Sequence, residues 1–186
     1  MAFVRIKRIS GKEYAYLVTN SWTGRGPRQK VAKYLGRVIR PQKAKSEALG
    51  AFLGLTSEKD LREWIRKNSF GKIAAALLRL ELKNHGIEGN NDHKISAEKA
   101  EFLDGKGKPL VFALNDGFLC SYTARKLLEY DPATDYTGYN LADALTAAGV
   151  AADKDVFIEM FGKAQATAEK GKRETPEEAA FKDFYY

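Results

Sequence analysis

The hydrophobic period of this chain changes once, and that change limits what it can fold into. Between Phe3 and Leu35 apolar and polar residues alternate, the repeat of a half-buried strand. Past Pro41 and a basic connector ending at Lys45, apolar residues recur at every third and fourth position, the repeat of an amphipathic helix. A run of strands followed by a run of helices predicts an α+β protein. We expect a small N-terminal three-stranded antiparallel sheet in residues 1–45, then a mostly helical domain in 46–186 with one β-hairpin near 98–114.

The strands are Phe3 to Ile9, Glu13 to Thr19 and Arg28 to Leu35, with Val38-Ile39 as an extension. Ser10-Gly11 and the Gly24 to Pro27 breakers turn the chain between them. Ser46 to Leu53 reads as a short helix. Ser57 followed by Asp60 is a capping pattern for the next one. The clearest helix spans Phe70 to His85, with Gly86 placed to end it. Asn90 to Lys94 reads as a polar loop. "KAEFL" and "PLVFAL" around Asp104–Lys108 read as the hairpin. Helices are then predicted over Gly117–Tyr130 (capped by Asn115 or Asp116), over Leu141–Ala148, and from Asp153 or Asp155 to about Ala168. Thr175-Pro176 predicts a short last helix.

The charge is not spread evenly. The net charge is +7, yet residues 1–45 hold twelve lysines and arginines against Glu13 alone, a net +11. The remainder holds nineteen basic and twenty-three acidic residues, a net −4. Like charges crowded into one short segment repel, and a polyanionic partner offsets that cost. In strands, residues i and i+2 share a face. Arg5 and Lys7 then lie beside Phe3 and Ile9, and Tyr14, Tyr16 and Val18 share a face of the second strand. In the third, Gln29, Val31, Lys33 and Leu35 alternate with Lys30, Ala32 and Tyr34. One sheet face can dock on the helices while the other shows cations beside rings. Tyr14, Tyr16 and Tyr34 read as the module's own packing, whereas Trp22, near the Gly24–Arg28 loop, suits packing or stacking equally.

Other chemistry is not supported. Cys120 is the only cysteine, in the apolar run "GFLCSY", and reads as a small packed hydrophobe. With His85 and His93 the only histidines, no Cys/His zinc set can be assembled. His85 at a predicted helix end is explained by the dipole there. "DGKGKP" lacks the Ser/Thr and the following helix of a phosphate loop. Glu129, Asp131 and Asp135 read as a solvated turn rather than a metal site. No nucleophile, base and orienting group come together, so neither an enzyme nor a cofactor is expected. No apolar stretch reaches the ~20 residues of a membrane helix, and the N-terminus lacks the apolar centre of a signal peptide. A cytoplasmic location without a membrane partner is the expectation.

One stretch carries a resemblance. Val4-Arg5, Gly11-Lys12-Glu13-Tyr14, Leu17-Val18, Gly26-Pro27-Arg28-Gln29, Val31 and Leu35-Gly36 resemble the opening segment of insertion-sequence transposases with a DDE catalytic core. There a short strand pair is followed by a "GPRQ" strand. The resemblance implies a small β module joined to a nucleic-acid-handling protein. Residues 46–186 lack the alternating strands and the room for the three-carboxylate core, so the chain is not read as a transposase.

The expected function is therefore non-enzymatic nucleic-acid binding through the backbone, leaning slightly to structured RNA over DNA for want of a recognition helix. The expected contacts are Arg5, Lys7, Arg8, Lys12, Trp22, Arg25, Arg28, Lys30, Lys33, Arg37 and Arg40, with the helical part free to dock a protein. The alternatives are an assembly subunit with a basic docking face and a transposon-derived DNA-binding protein.

Overall fold

Three antiparallel strands open the chain: β1 (Ala2–Ile9), β2 (Lys12–Thr23) and β3 (Gly26–Ile39). The computed structural model describes residues 2–24, 26–87, 93–134 and 137–173, with the side chains of 170–173 excepted. Ser10 and Gly11 both take positive φ in the β1–β2 turn. β2 runs past its predicted end at Thr19 to Thr23, and β3 takes in the Val38-Ile39 extension.

The sheet does not stop at three strands. The end of β3 pairs in parallel with β6 (Leu110–Leu114), Arg37 opposite Leu110 and Ile39 opposite Phe112. β6 pairs antiparallel with β7 (Gly117–Leu119), giving a mixed five-stranded sheet of order β1-β2-β3-β6-β7. The basic segment thus shares its sheet with strands from far along the chain.

Here the expected hairpin near 98–114 needs correcting. β5 (Glu101–Asp104) pairs not with β6 but with β4 (His93–Ser96), forming a separate two-stranded sheet. Between β5 and β6 only a single bridge, Leu103 to Pro109, remains. Asp104 explains the turn: its Oδ1 accepts the Lys106 and Lys108 N–H groups at 2.9 and 2.8 Å, which sends β6 away to β3. Lys94, expected in a loop, lies in β4. The predicted helix from Gly117 is likewise divided, with β7 first and a helix after Cys120.

The helices are α1 (Leu49–Phe52), α2 (Glu58–Lys67), α3 (Phe70–Asn84), α4 (Ser121–Leu128), α5 (Tyr139–Ala147) and α6 (Lys154–Arg173), with a 3-10 turn at Pro132–Thr134. Ser57 caps α2 by accepting the Asp60 N–H at 3.2 Å. Ser69 does the same for α3 through Lys72. Gly86 follows α3 at φ +63°. The predicted helix after Thr175 lies outside the described residues.

Two apolar clusters hold the molecule. The larger joins α3, α4, α5 and α6 to one face of the sheet through Leu110, Phe112, Leu114 and Leu119. The smaller lies on the opposite face and is built from Ala15, Leu35, Val38, Val111 and Cys120, with Val4, Ile6, Leu17 and Phe118 packed on it. Cys120 is fully buried. Its N–H donates to Thr123 Oγ1 (3.1 Å), whose own hydroxyl donates to the Phe118 carbonyl (2.7 Å), so β7 is stapled to the start of α4.

Candidate nucleic-acid interface

The β2–β3 hairpin projects beyond the rest of the sheet. Among the described residues β1 accompanies β2 only to Thr19, which pairs with Ala2. Beyond it, Asn20–Thr23 pair with Gly26–Gln29 as a two-stranded ribbon. Asn20 to Gly24 and Pro27 to Lys30 are exposed, and Trp22 keeps 84% of its surface in contact with solvent. No carboxylate lies between Asn20 and Gly36. The arm carries Arg28 and Lys30, while Arg25 lies outside the described residues.

Register, rather than strict alternation, decides what each face displays. Two irregularities interrupt the β2–β3 pairing, one between Ala15 and Tyr16 and one between Leu17 and Val18. They set Lys33 opposite Leu17 and Tyr34 opposite Tyr16. An extra residue in one strand of a pair has this effect, so the expected grouping of Lys33 with Val31 gives way. Arg28, Lys30 and Lys33 now stand opposite Ser21, Thr19 and Leu17, alternate residues of β2, and form one row along β3. Strand geometry spaces Arg28 and Lys30 by about 7 Å.

The other face collects the rings. Arg5 pairs with Tyr16, Lys7 with Tyr14, and Tyr14 with Arg37. Lys7 Nζ lies 5.2 Å from the Tyr16 ring centre, within cation–π range. Tyr34 packs against Tyr16 and Tyr14, centroids 5.5 and 6.4 Å apart. Burial, followed by Tyr14, Tyr16 and the Asp104 carboxylate, pushes the Tyr34 hydroxyl above its ordinary pKa. The tyrosines do pack together as expected, yet Tyr34 is still 42% exposed. The Arg5 guanidinium donates to the Gln29 side-chain carbonyl, tying β1 to the root of the arm.

Two expected contact residues are engaged elsewhere. Arg40 donates to Glu13 at 2.8 Å and Arg8 lies 3.9 Å from the same carboxylate, so the one acid of the segment holds both. Among the described residues, Arg5, Lys7, Lys12, Arg28, Lys30, Lys33 and Arg37 have no ion-pair partner. Cations of the helical part differ: Arg62 and Arg66 meet Glu159, Lys83 meets Glu47, Arg79 meets Glu98 and Lys94 meets Glu101.

A groove that the sequence did not signal lies beside β3. β3 meets β6 only from Arg37 onward, leaving its edge unpaired at Lys33–Leu35. Across from that edge stands α4 with Ser121, Tyr122, Arg125, Lys126 and Glu129, and Pro109 closes one end of a space of about 580 Å³. Only the three-dimensional pairing brings residues 33 and 125 together, so spacing could not reveal it.

No set of three or more His, Cys, Asp and Glu residues is arranged to hold a metal ion among the described residues. Asp131 instead stabilises its turn, accepting the Ala133 N–H at 2.9 Å; Asp135 lies outside the described residues. No described helix is long and apolar enough to cross a membrane. Comparison with family models, curated proteins and solved structures gives no match to this chain.

Proposed function

We propose that this protein binds nucleic acid without acting on it chemically, gripping the phosphate backbone with the β2–β3 arm and the sheet at its root. The observation that carries this is the contrast in pairing. The helical part's cations are repeatedly matched with carboxylates, while most of those in the N-terminal strands are exposed and unmatched. Unmatched cations gathered on one projection release counterions from a polyanion without first breaking ion pairs of their own.

The arm supplies the device whose lack favoured RNA on sequence alone. A two-stranded ribbon fits the major groove of B-form DNA, about 12 Å wide, whereas the A-form major groove is too deep and narrow for side chains to read. Duplex DNA is thus the target the arm suits best. Arg28 and Lys30 would meet phosphates, and Trp22 at the tip would meet a base or sugar.

Fluorescence anisotropy with labelled duplexes tests this. Joint replacement of Arg28 and Lys30 by glutamate is expected to weaken binding at least tenfold for all sequences. It should also flatten the log–log salt slope by about 2. The melting temperature should not change. Failure of the unaltered protein to bind any duplex at ~50 mM salt, where backbone contacts are strong, would overturn the proposal.

A further inference from the structure

The groove between the open edge of β3 and α4 lies at the end of the cation row. Arg28 and Lys30 come down the arm, Lys33 follows on the same face, and Lys33 is itself a wall of the groove. Arg125 also lines the groove, and within 4 Å it meets no carboxylate among the described residues, though Glu101 acts on it from farther off. Lys126 is partly neutralised by Asp143, Glu129 adds one negative charge, and from outside the lining the Glu101 carboxylate acts on Arg125 and the Asp104 carboxylate on Tyr34, so the positive charge left rests on Lys33 and, in part, on Arg125. Its remaining surface is not charged. Tyr34 and Tyr122 line it together with Leu35.

Its size and chemistry suit a nucleotide. The space of about 580 Å³ falls within the ~300–1,000 Å³ typical of small-molecule sites. Tyr34 is held from behind by Tyr14 and Tyr16, so its ring is a fixed platform that loses little entropy when something stacks on it. A base inside a duplex cannot reach such a ring; an unpaired one can.

Resting on the reading of the arm as a duplex-binding element, we infer that this groove receives unpaired nucleotides. One base stacks on Tyr34 and adjoining phosphates lie against Lys33 and Arg125. The preferred ligand is then a duplex that ends in a single-stranded tail.

The test compares a blunt DNA duplex with the same duplex carrying a six-nucleotide tail, by anisotropy at one salt concentration. The tail is expected to tighten binding at least about fivefold, the low end of what one stacked base contributes. Tyr34→Ala and Arg125→Glu should each remove that gain and leave blunt-duplex affinity unaltered. Tyr34→Phe, which keeps the ring, should retain it. Both positions are exposed, and unchanged melting temperatures would confirm that these variants fold.

Equal affinity for blunt and tailed duplexes would overturn the inference, as would a tail gain that survives both Tyr34→Ala and Arg125→Glu. It would also fall if a glutamate-rich peptide bound as tightly as the tail and depended on the same two residues, because the groove would then be a protein-docking edge. The arm is judged separately. If the blunt duplex binds and the tail adds nothing, the groove idea alone fails. If neither binds, the reading beneath it fails and takes this one with it.

Discussion

Gly36 has a φ of +140°, and a Cβ there would lie 2.4 Å from the Pro109 carbonyl oxygen. The approach is needed because the Arg37 N–H donates to that same carbonyl at 3.2 Å, where β3 begins to join β6. Gly36→Ala combines backbone strain with a clash against main chain that cannot swing aside. We expect a loss of about 2 kcal/mol or more in chemical denaturation. Lys163 is a second position with a definite role. Its Nζ donates to the carbonyl oxygens of Ile65 (3.0 Å), Arg66 (2.9 Å) and Asn68, which capture the otherwise orphaned end of α2. Lys163→Met keeps the stem and removes the donors. It should cost about 1–2 kcal/mol, measured the same way. Trp22 is the opposite case. With 84% of its surface exposed, Trp22→Ala should leave stability within about 0.5 kcal/mol, while nucleic-acid binding weakens several-fold.

Most elements could be foreseen where local chemistry decides the outcome. Ser57 and Asp60 form the cap their spacing suggests, and α3 ends at Gly86 because glycine accepts the left-handed backbone there. β1 and β2 follow their alternation. What could not be foreseen depends on partners distant in sequence. "PLVFAL" is a good strand by composition, but nothing in it says that its neighbour is β3 rather than β5. "GFL" is a strand because it pairs with β6, Leu119 opposite Phe112, and Gly117 lets that strand lie against the Thr146 carbonyl and Gly149, where a Cβ would come within 2.0 Å of backbone. The groove beside β3 was hidden for the same reason. The cation row was only half legible, since the residues can be read but the irregularities in β3 pairing that align Lys33 with Arg28 and Lys30 cannot.

At the scale of the whole molecule, charge is sorted by location. Most of the ion pairs lie in the helical part, where they offset much of its charge, and the projecting strands keep their field. Binding should therefore be strongly salt-dependent while folding is not. A thermal melt at 50 and 500 mM salt should shift little beside the change in affinity over the same range. Acid acts elsewhere. The Lys108 and Lys106 N–H groups hold the Asp104 carboxyl below its usual range, and Lys94 does the same for Glu101. Both folded-state values are depressed, so their contribution is complete above pH ~5, where the unfolded carboxyls are ionised too, and is lost as pH falls through the lower, native values. Acid should weaken the β4–β5 pairing modestly, seen as faster hydrogen exchange at Phe102 and Leu103. Cys120, sealed where β7 meets α4, gives the molecule a silent chemical clock. A thiol reagent should find nothing to modify in the resting protein, so any colour that develops counts the moments when the seam comes apart.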